Sequence, residues 1–220
     1  MNIYVIIGII GVISGILCAR ADVPLAWSGR KGDKADVRSL GKIAPWWTEV
    51  NESWFDKSFW LSCIGQPGTY LTMWFLAELI GQNNAGLSLA LKINTFIGAY
   101  TGLYFHGAVV TKYIVYRRLA GKIPDDDAQT VIDAMDKYPK IPSLISAVSL
   151  FAGTTVIVTA AILIGALDVP VFMVVFNPVV AALILVPLQK LGLKLGGSLG
   201  FGFMLFAIVL IVAGSSLPTI

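Results

Sequence analysis

Long apolar runs separated by shorter polar stretches dominate the chain. Six runs stand out, at about residues 3–19, 59–80, 87–111, 142–166, 169–188 and 196–217. Each is close to the roughly 20 residues that a helix needs to cross about 30 Å of hydrocarbon. None alternates apolar and polar positions as a barrel strand would, and lipid admits only helices or closed barrels. The pattern predicts an all-α, polytopic membrane protein, a six-transmembrane-helix bundle forming a single integral membrane domain over residues 1–220. The fourth and fifth runs merge, but one helix over 142–188 would be more than twice the bilayer thickness. Asp168-Val169-Pro170 supplies the expected turn, with a charge and a helix-starting proline. The first run has no basic residue ahead of it, and Leu17 stands where a lipoprotein-type cleavage before Cys18 would need a small residue. It is therefore read as a permanent span.

Two polar segments carry patterns of their own. In residues 43–58, Trp46, Trp47, Val50 and Trp54 recur at helical spacing among Glu49, Asn51, Glu52 and Asp56. This predicts an amphipathic helix lying in the membrane interface. In residues 125–138, Asp125, Asp126 and Asp127 precede Ala128, Val131, Ile132 and Met135. Aspartates in a first turn cap free N–H groups and complement the helix dipole. A second amphipathic helix is expected there, closed by Pro139 and Pro142. These are the two short cytoplasmic amphipathic helices of the expected fold.

Composition agrees with lipid as the solvent: 56% of the residues are hydrophobic and 13% charged. Charge then supplies direction. Fifteen of the sixteen Lys and Arg residues fall in residues 20–57, 112–140 and 190–194, and only Lys92 lies elsewhere. Cytoplasmic loops hold Lys and Arg in excess, so both long loops are expected inside and both termini outside, in a bacterial or archaeal cytoplasmic membrane. The net charge of +3 gives no nucleic-acid signal, because Asp33, Asp36, Glu49, Glu52 and Asp56 interleave with the basic residues. Cys18 and Cys63 sit in or beside apolar runs and read as packing residues, without disulfide or metal spacing.

Small residues at intervals of three or four, namely Gly8, Gly11, Gly15 and Ala19, then Gly98 and Gly102, then Gly192, Gly196 and Gly200, predict close helix contacts inside the bundle or between copies of the chain. Glu78 and Lys92 flank the 81–86 loop and are expected to pair. Gln66-Pro67 and Asn177-Pro178 each place a carboxamide before a proline that frees a helix carbonyl. Paired broken helices point to a binding site in inverted-repeat transporters, although the two halves here match poorly otherwise.

Ionisable groups at membrane depth are costly and mark candidate sites. His106 is the only histidine, flanked by Gly102, Tyr104 and Gly107. It is the candidate catalytic residue, as a proton donor, proton acceptor or ligand anchor; a neutral histidine bonded between helices is the plainer reading. His106, Tyr104, Gln66 and Asn177 form the expected ligand-binding set. Arg20, Asp22 and Trp27 could join Gln66 and His106 around a pocket open to the inner leaflet. No metal site is expected, nothing specifies a cofactor, and the Asp125–Asp127 cluster is read as capping.

Three functions fit these residues. The first is a membrane protein that binds or converts a lipid-soluble small molecule in an intramembrane pocket. The second is a subunit of an oligomeric small-solute transporter or channel, which would need a homo-oligomer. The third is an assembly or accessory protein without a pocket. The partners expected are the lipid bilayer, a hydrophobic small-molecule ligand and a second copy of the chain, with no nucleic acid.

Overall fold

The computed structural model describes residues 2–28 and 41–217. Arg30, Lys31, Lys34 and Arg38 of the first basic segment lie outside the described residues. The rest is all-helical: α1 (Ile3–Ala21), α2 (Val23–Ala26), α3 (Ser53–Gly81), α4 (Ala85–Leu119), α5 (Asp125–Asp136), α6 (Lys140–Ala147), α7 (Thr154–Leu163), α8 (Pro178–Lys190) and α9 (Ser198–Ser215). α2 continues α1, and a π-helical stretch, Val148–Gly153, joins α6 to α7, so the described residues make seven helical rods.

The expected six spans are not what the chain builds. Three rods are long and apolar enough to cross a membrane: Ile3–Ala26, Lys140–Leu163 and Ser198–Ser215. They correspond to the first, fourth and sixth apolar runs. α3 and α4 are longer, but polar residues punctuate them. Ser58, Ser62, Thr69 and Thr72 on α3 and Ser88, Thr95 and Lys112 on α4 are turned into the protein. A hydropathy reading of these helices averages an inward polar stripe with an outward apolar one. The fifth run fails for a different reason. Residues Val171–Val175 form a 3-10 turn, and Asn177, ahead of Pro178, is extended at φ −150° and ψ 165°. A residue before proline is pushed out of the α region. What remains is α8, whose 13 residues reach only about 20 Å.

α1 runs antiparallel to α9 at close range. Gly8 faces Ile211, Gly15 faces Met204 and Gly200, and Gly214 faces Tyr4. The small-residue stripe is thus used inside the bundle. α3 packs on the other side of α1, with Gly68 against Ser14 and Gly65 against Cys18. α4 returns along α3, and the hairpin holds the expected pair: Lys92 Nζ lies 2.6 Å from Glu78 Oε1 and 5.0 Å over the Trp74 ring. Large apolar side chains such as Ile13, Trp60, Phe96, Leu144, Val156 and Leu183 remain exposed on the outside of successive rods. An exposed apolar surface of this extent marks a membrane-embedded protein.

The π-helical stretch has a visible cause. Gly153 leaves room for the Asn94 carboxamide, whose Nδ2 donates to the Ser149 carbonyl at 2.9 Å. That carbonyl also accepts from the Thr154 N–H. A side chain entering the hydrogen-bond ladder from a neighbouring helix is a recognised source of such irregularity.

A second apolar cluster closes one end of the bundle: Leu25, Trp47, Phe55, Val109, Tyr113 and Ile132, among others. The expected amphipathic helix over 43–58 is absent. Pro45–Thr48 is a single 3-10 turn, and regular helix begins only at Ser53. Trp47 is 0% exposed, its ring 4.3 Å from that of Tyr113, so it is a core residue and not an interfacial one. Pro45 and the pull of the aromatic cluster break the helical register that the tryptophan spacing suggested. The other amphipathic helix exists as α5, with Ala128 and Ile132 buried. Its N-cap is Pro124 and no aspartate side chain caps it, so the three aspartates act on the dipole alone. Pro139 precedes α6, and Pro142 sits in its first turn.

Candidate functional site

The cavity lies where α1–α2, α3, α4, α6 and the start of α9 converge, with a volume of about 330 Å³. Its lining runs along α4 from Gly102 to Tyr113, a rise of about 16 Å at 1.5 Å per residue. Tyr70, Leu150, Phe151 and Phe203 form much of the apolar wall, and Asp22, Ser62, Gln66, Thr69 and His106 bring polar atoms into it.

Each polar group is placed by a local rule. Ser62, Gln66 and Tyr70 are four residues apart on α3, one above the other on a single face. Gln66 Nε2 donates to Ser62 Oγ at 2.5 Å, and Tyr70 Oη donates to Gln66 Oε1 at 3.2 Å. His106 comes from α4. Its Nε2 lies 3.2 Å from Ser58 Oγ and 3.4 Å from the Ser58 carbonyl oxygen, so it donates to the carbonyl when protonated and accepts from the hydroxyl when not. Its Nδ1 is 4.0 Å from Asp22 Oδ1, too far for a hydrogen bond. The His106 side chain is 13% exposed and that of Asp22 is 42% exposed, with both lining the cavity.

Asp22 is held at the α1–α2 junction by backbone contacts alone. Its carboxylate caps no N–H group of α2. Gly197 packs directly against it, where a Cβ would overlap the carboxylate. Gly196, at φ +87°, brings the α8–α9 connection against α1, and the Gly197 N–H donates to the Ala19 carbonyl at 2.9 Å. Gln189 Nε2 donates to the Gly196 carbonyl from α8. This wall exists because glycine tolerates both the positive φ and the close approach.

Of the four residues expected to bind a ligand, the structure brings His106 and Gln66 to the cavity and leaves the other two elsewhere. Tyr104 is 48% exposed on the outer face of α4, beside a shallow cleft with Tyr138 and Met135. Asn177 is buried, but as the N-cap of α8. Its side chain accepts from the Val180 N–H at 3.0 Å and donates to the Val174 carbonyl at 2.7 Å. Arg20 turns outward to the Lys194 carbonyl at 3.4 Å. Asp22 and Trp27 do line the cavity. Sequence reasoning passed over Tyr70, Phe203 and Cys18. The spacing of four from Gln66 was the available signal for Tyr70; nothing local marked the other two.

Behind the cavity, the aromatic cluster is tied to the bundle by its polar edges. Tyr113 Oη donates to the Leu25 carbonyl and Trp54 Nε1 to the Trp27 carbonyl, each at 3.0 Å. Arg117 donates to the Trp47 carbonyl at 2.9 Å and to the Val50 carbonyl. Burial draws the Lys112 ammonium below its ordinary value, against the opposing pull of the Asp136 carboxylate. Among the described residues no group of three or more His, Cys, Asp or Glu side chains could hold a metal ion.

A family model covers residues 1–217, nearly the whole chain. The protein belongs to the family of unknown function DUF6796. No curated protein and no solved structure matches it. In this member of DUF6796 the polar groups of α3 and α4 converge with Asp22 on the cavity.

Proposed function

We propose that this protein binds a lipid-soluble small molecule in the cavity between α1, α3, α4, α6 and α9, with His106 and Gln66 as polar anchors. The observation that carries the reading is the cavity itself. It has apolar walls, a few convergent polar groups and a volume at the lower end of small-molecule sites, in a bundle whose outer surface is apolar. His106, with a neutral ring bonded to Ser58, can exchange a proton with a bound molecule, so conversion as well as binding is within its chemistry. The transporter reading loses the second of its paired proline breaks, because Asn177 and Pro178 open α8 and do not interrupt it.

We further propose that the end of the bundle carrying Arg20, Arg117, Arg118, Lys140 and Lys194 faces the cytoplasm, on the charge partition alone.

The test fills the cavity. A side chain added at Gly102 points toward Ser146 Oγ, Tyr70 Oη and Leu150 Cδ1, at 3.0, 3.4 and 3.5 Å from the Cβ. Binding of labelled 1-dodecanol to the protein in phosphatidylcholine nanodiscs is measured against empty discs. Wild type binds above the empty-disc level and Gly102→Leu does not. Equal binding by a folded Gly102→Leu protein would remove the cavity as the site, and the accessory-protein reading would then lead.

A further inference from the structure

The polar side of the cavity holds a carboxylate with no Lys or Arg partner among the described residues. Among the described residues, Asp22 Oδ1 has His106 Nδ1 at 4.0 Å as its one charged-group neighbour, and that neighbour is a cation only when protonated. Among the described residues no Lys or Arg lines the cavity. Arg20, two residues away, is committed to the Lys194 carbonyl on the outside. The carboxylate caps no N–H group of α2; it stands between the C-terminus of α1 and the N-terminus of α9 at Gly197, helix ends that carry only partial charges, of opposite sign. Cys18, Ser62, Gln66, Thr69 and Tyr70 offer hydroxyl, thiol and carboxamide groups around it, none with a positive charge. Outside the cavity, Asp136 pairs with Lys112, Glu52 with Arg118 and Glu78 with Lys92. The Asp22 side chain is 42% exposed into this polar side of the cavity, and a cationic group placed beside it would gain a charge-assisted hydrogen bond that none of the described residues supplies.

We propose that the cavity takes amphiphiles with a cationic head, an alkylammonium placed against Asp22 with its chain along Leu150, Phe151 and Phe203. The aromatic ring of Phe105, also in the lining, suits the same charge, since ring faces attract ammonium groups. His106 then has a positioning role. Its ring, bonded to Ser58, stays neutral and leaves Asp22 available to the ligand. This assignment rests on the cavity being a ligand site and adds the sign of the head group.

The experiment compares three twelve-carbon probes, dodecylamine, 1-dodecanol and dodecanoate, at pH 7 on the full chain in phosphatidylcholine nanodiscs, with empty discs subtracted. Dodecylamine should bind about tenfold or more tightly than dodecanol, the scale of one hydrogen bond to a charged group. Asp22→Asn should abolish that preference and leave dodecanol binding in place, which also reports that the variant folds. Asp22→Glu should keep the preference for the amine. Dodecanol binding as tightly as dodecylamine in wild type, as a neutral carboxyl would produce, overturns the cationic assignment and leaves the cavity reading standing. So does a preference for dodecanoate. Should Asp22→Asn fail to fold, the wild-type ratio alone decides. Absence of binding by all three probes would overturn both readings together.

Discussion

Lys112 and Asp136 meet 3.3 Å apart with the lysine side chain only 1% exposed, joining the end of α4 to the end of α5. The same carboxylate accepts from the Gly41 N–H at 2.6 Å, so one buried ion pair fixes two helices and the chain leading into the aromatic cluster. Removing one partner leaves the other charge buried. Lys112→Met should cost about 3–5 kcal/mol, whereas a matched apolar pair, Lys112→Met with Asp136→Leu, should recover much of it. Denaturant unfolding of the detergent-solubilised protein checks both. A double variant as unstable as the single one would show that the pair contributes more than charge balance.

The same lysine sets a pH dependence. Its folded value is lowered by burial from an ordinary 10.5. The unfolded chain therefore binds the extra proton between the two values, and stability contributed through this group rises with pH across that window. The stability of wild type relative to Lys112→Met should increase from neutral pH toward 10.5. A difference that falls over this range would reverse the sign of the burial effect.

Glu78 and Lys92 make a shorter contact but a weaker one. Both side chains are partly exposed, at 46% and 25%, and such pairs contribute at most about 1 kcal/mol. Glu78→Gln should shift the melting temperature far less than Lys112→Met. A comparable loss would mean that the Lys92–Trp74 contact depends on the carboxylate.

Tryptophans that look alike in the sequence should behave oppositely. Trp47→Ala empties a fully buried site and should cost about 3–5 kcal/mol. Trp60 is 62% exposed, and its alanine variant should stay within about 0.5 kcal/mol in detergent. Thermal melts of the two variants separate core from rim directly.

Orientation has its own measurement. Because α1 and α9 run antiparallel, Ser28 and Ser216 lie at opposite ends of the bundle. In a background lacking Cys18 and Cys63, an impermeant maleimide applied to intact cells should label a cysteine at position 216 and not at 28. Labelling at 28 alone inverts the orientation; labelling at both removes the membrane-crossing arrangement.

Hydropathy was a good guide to helices and a poor one to crossings. Runs 1, 4 and 6 are uniformly apolar, and the helices they form match them within a few residues at most ends. α3 and α4 defeated the count because Ser58, Ser62, Gln66, Thr69 and His106 are spaced to face inward, a pattern that a linear average cannot resolve. Residues 169–188 failed at a single dipeptide: Asn177 before Pro178 starts a helix and does not kink one. Within the site, His106 and Gln66 were legible as isolated polar residues in apolar surroundings. Tyr104 and Asn177 satisfied the same criterion, but helix phase turned one outward and a capping role absorbed the other. Trp47 was read as interfacial because its burial depends on Tyr113 and Tyr116, more than sixty positions away in the chain.

The π-helical stretch between α6 and α7 acts as a phase shift in an otherwise continuous rod. A regular α-helix advances about 100° per residue, so the additional residue at Val148–Gly153 offsets everything beyond it by roughly that angle. Ser146, Leu150, Thr154 and Val158 follow one another at intervals of four and are all buried, a series that would drift by about 40° per step in regular α-helix. The additional residue takes up that drift, so the rod keeps one inward face from the cavity wall at Ser146 and Leu150 to the core at Val158 and Ala161. Removing one residue from this stretch would leave composition and hydropathy almost unchanged, yet would turn either the cavity wall or the core toward lipid. For this rod, the length of a six-residue segment matters more than the identity of most of its side chains.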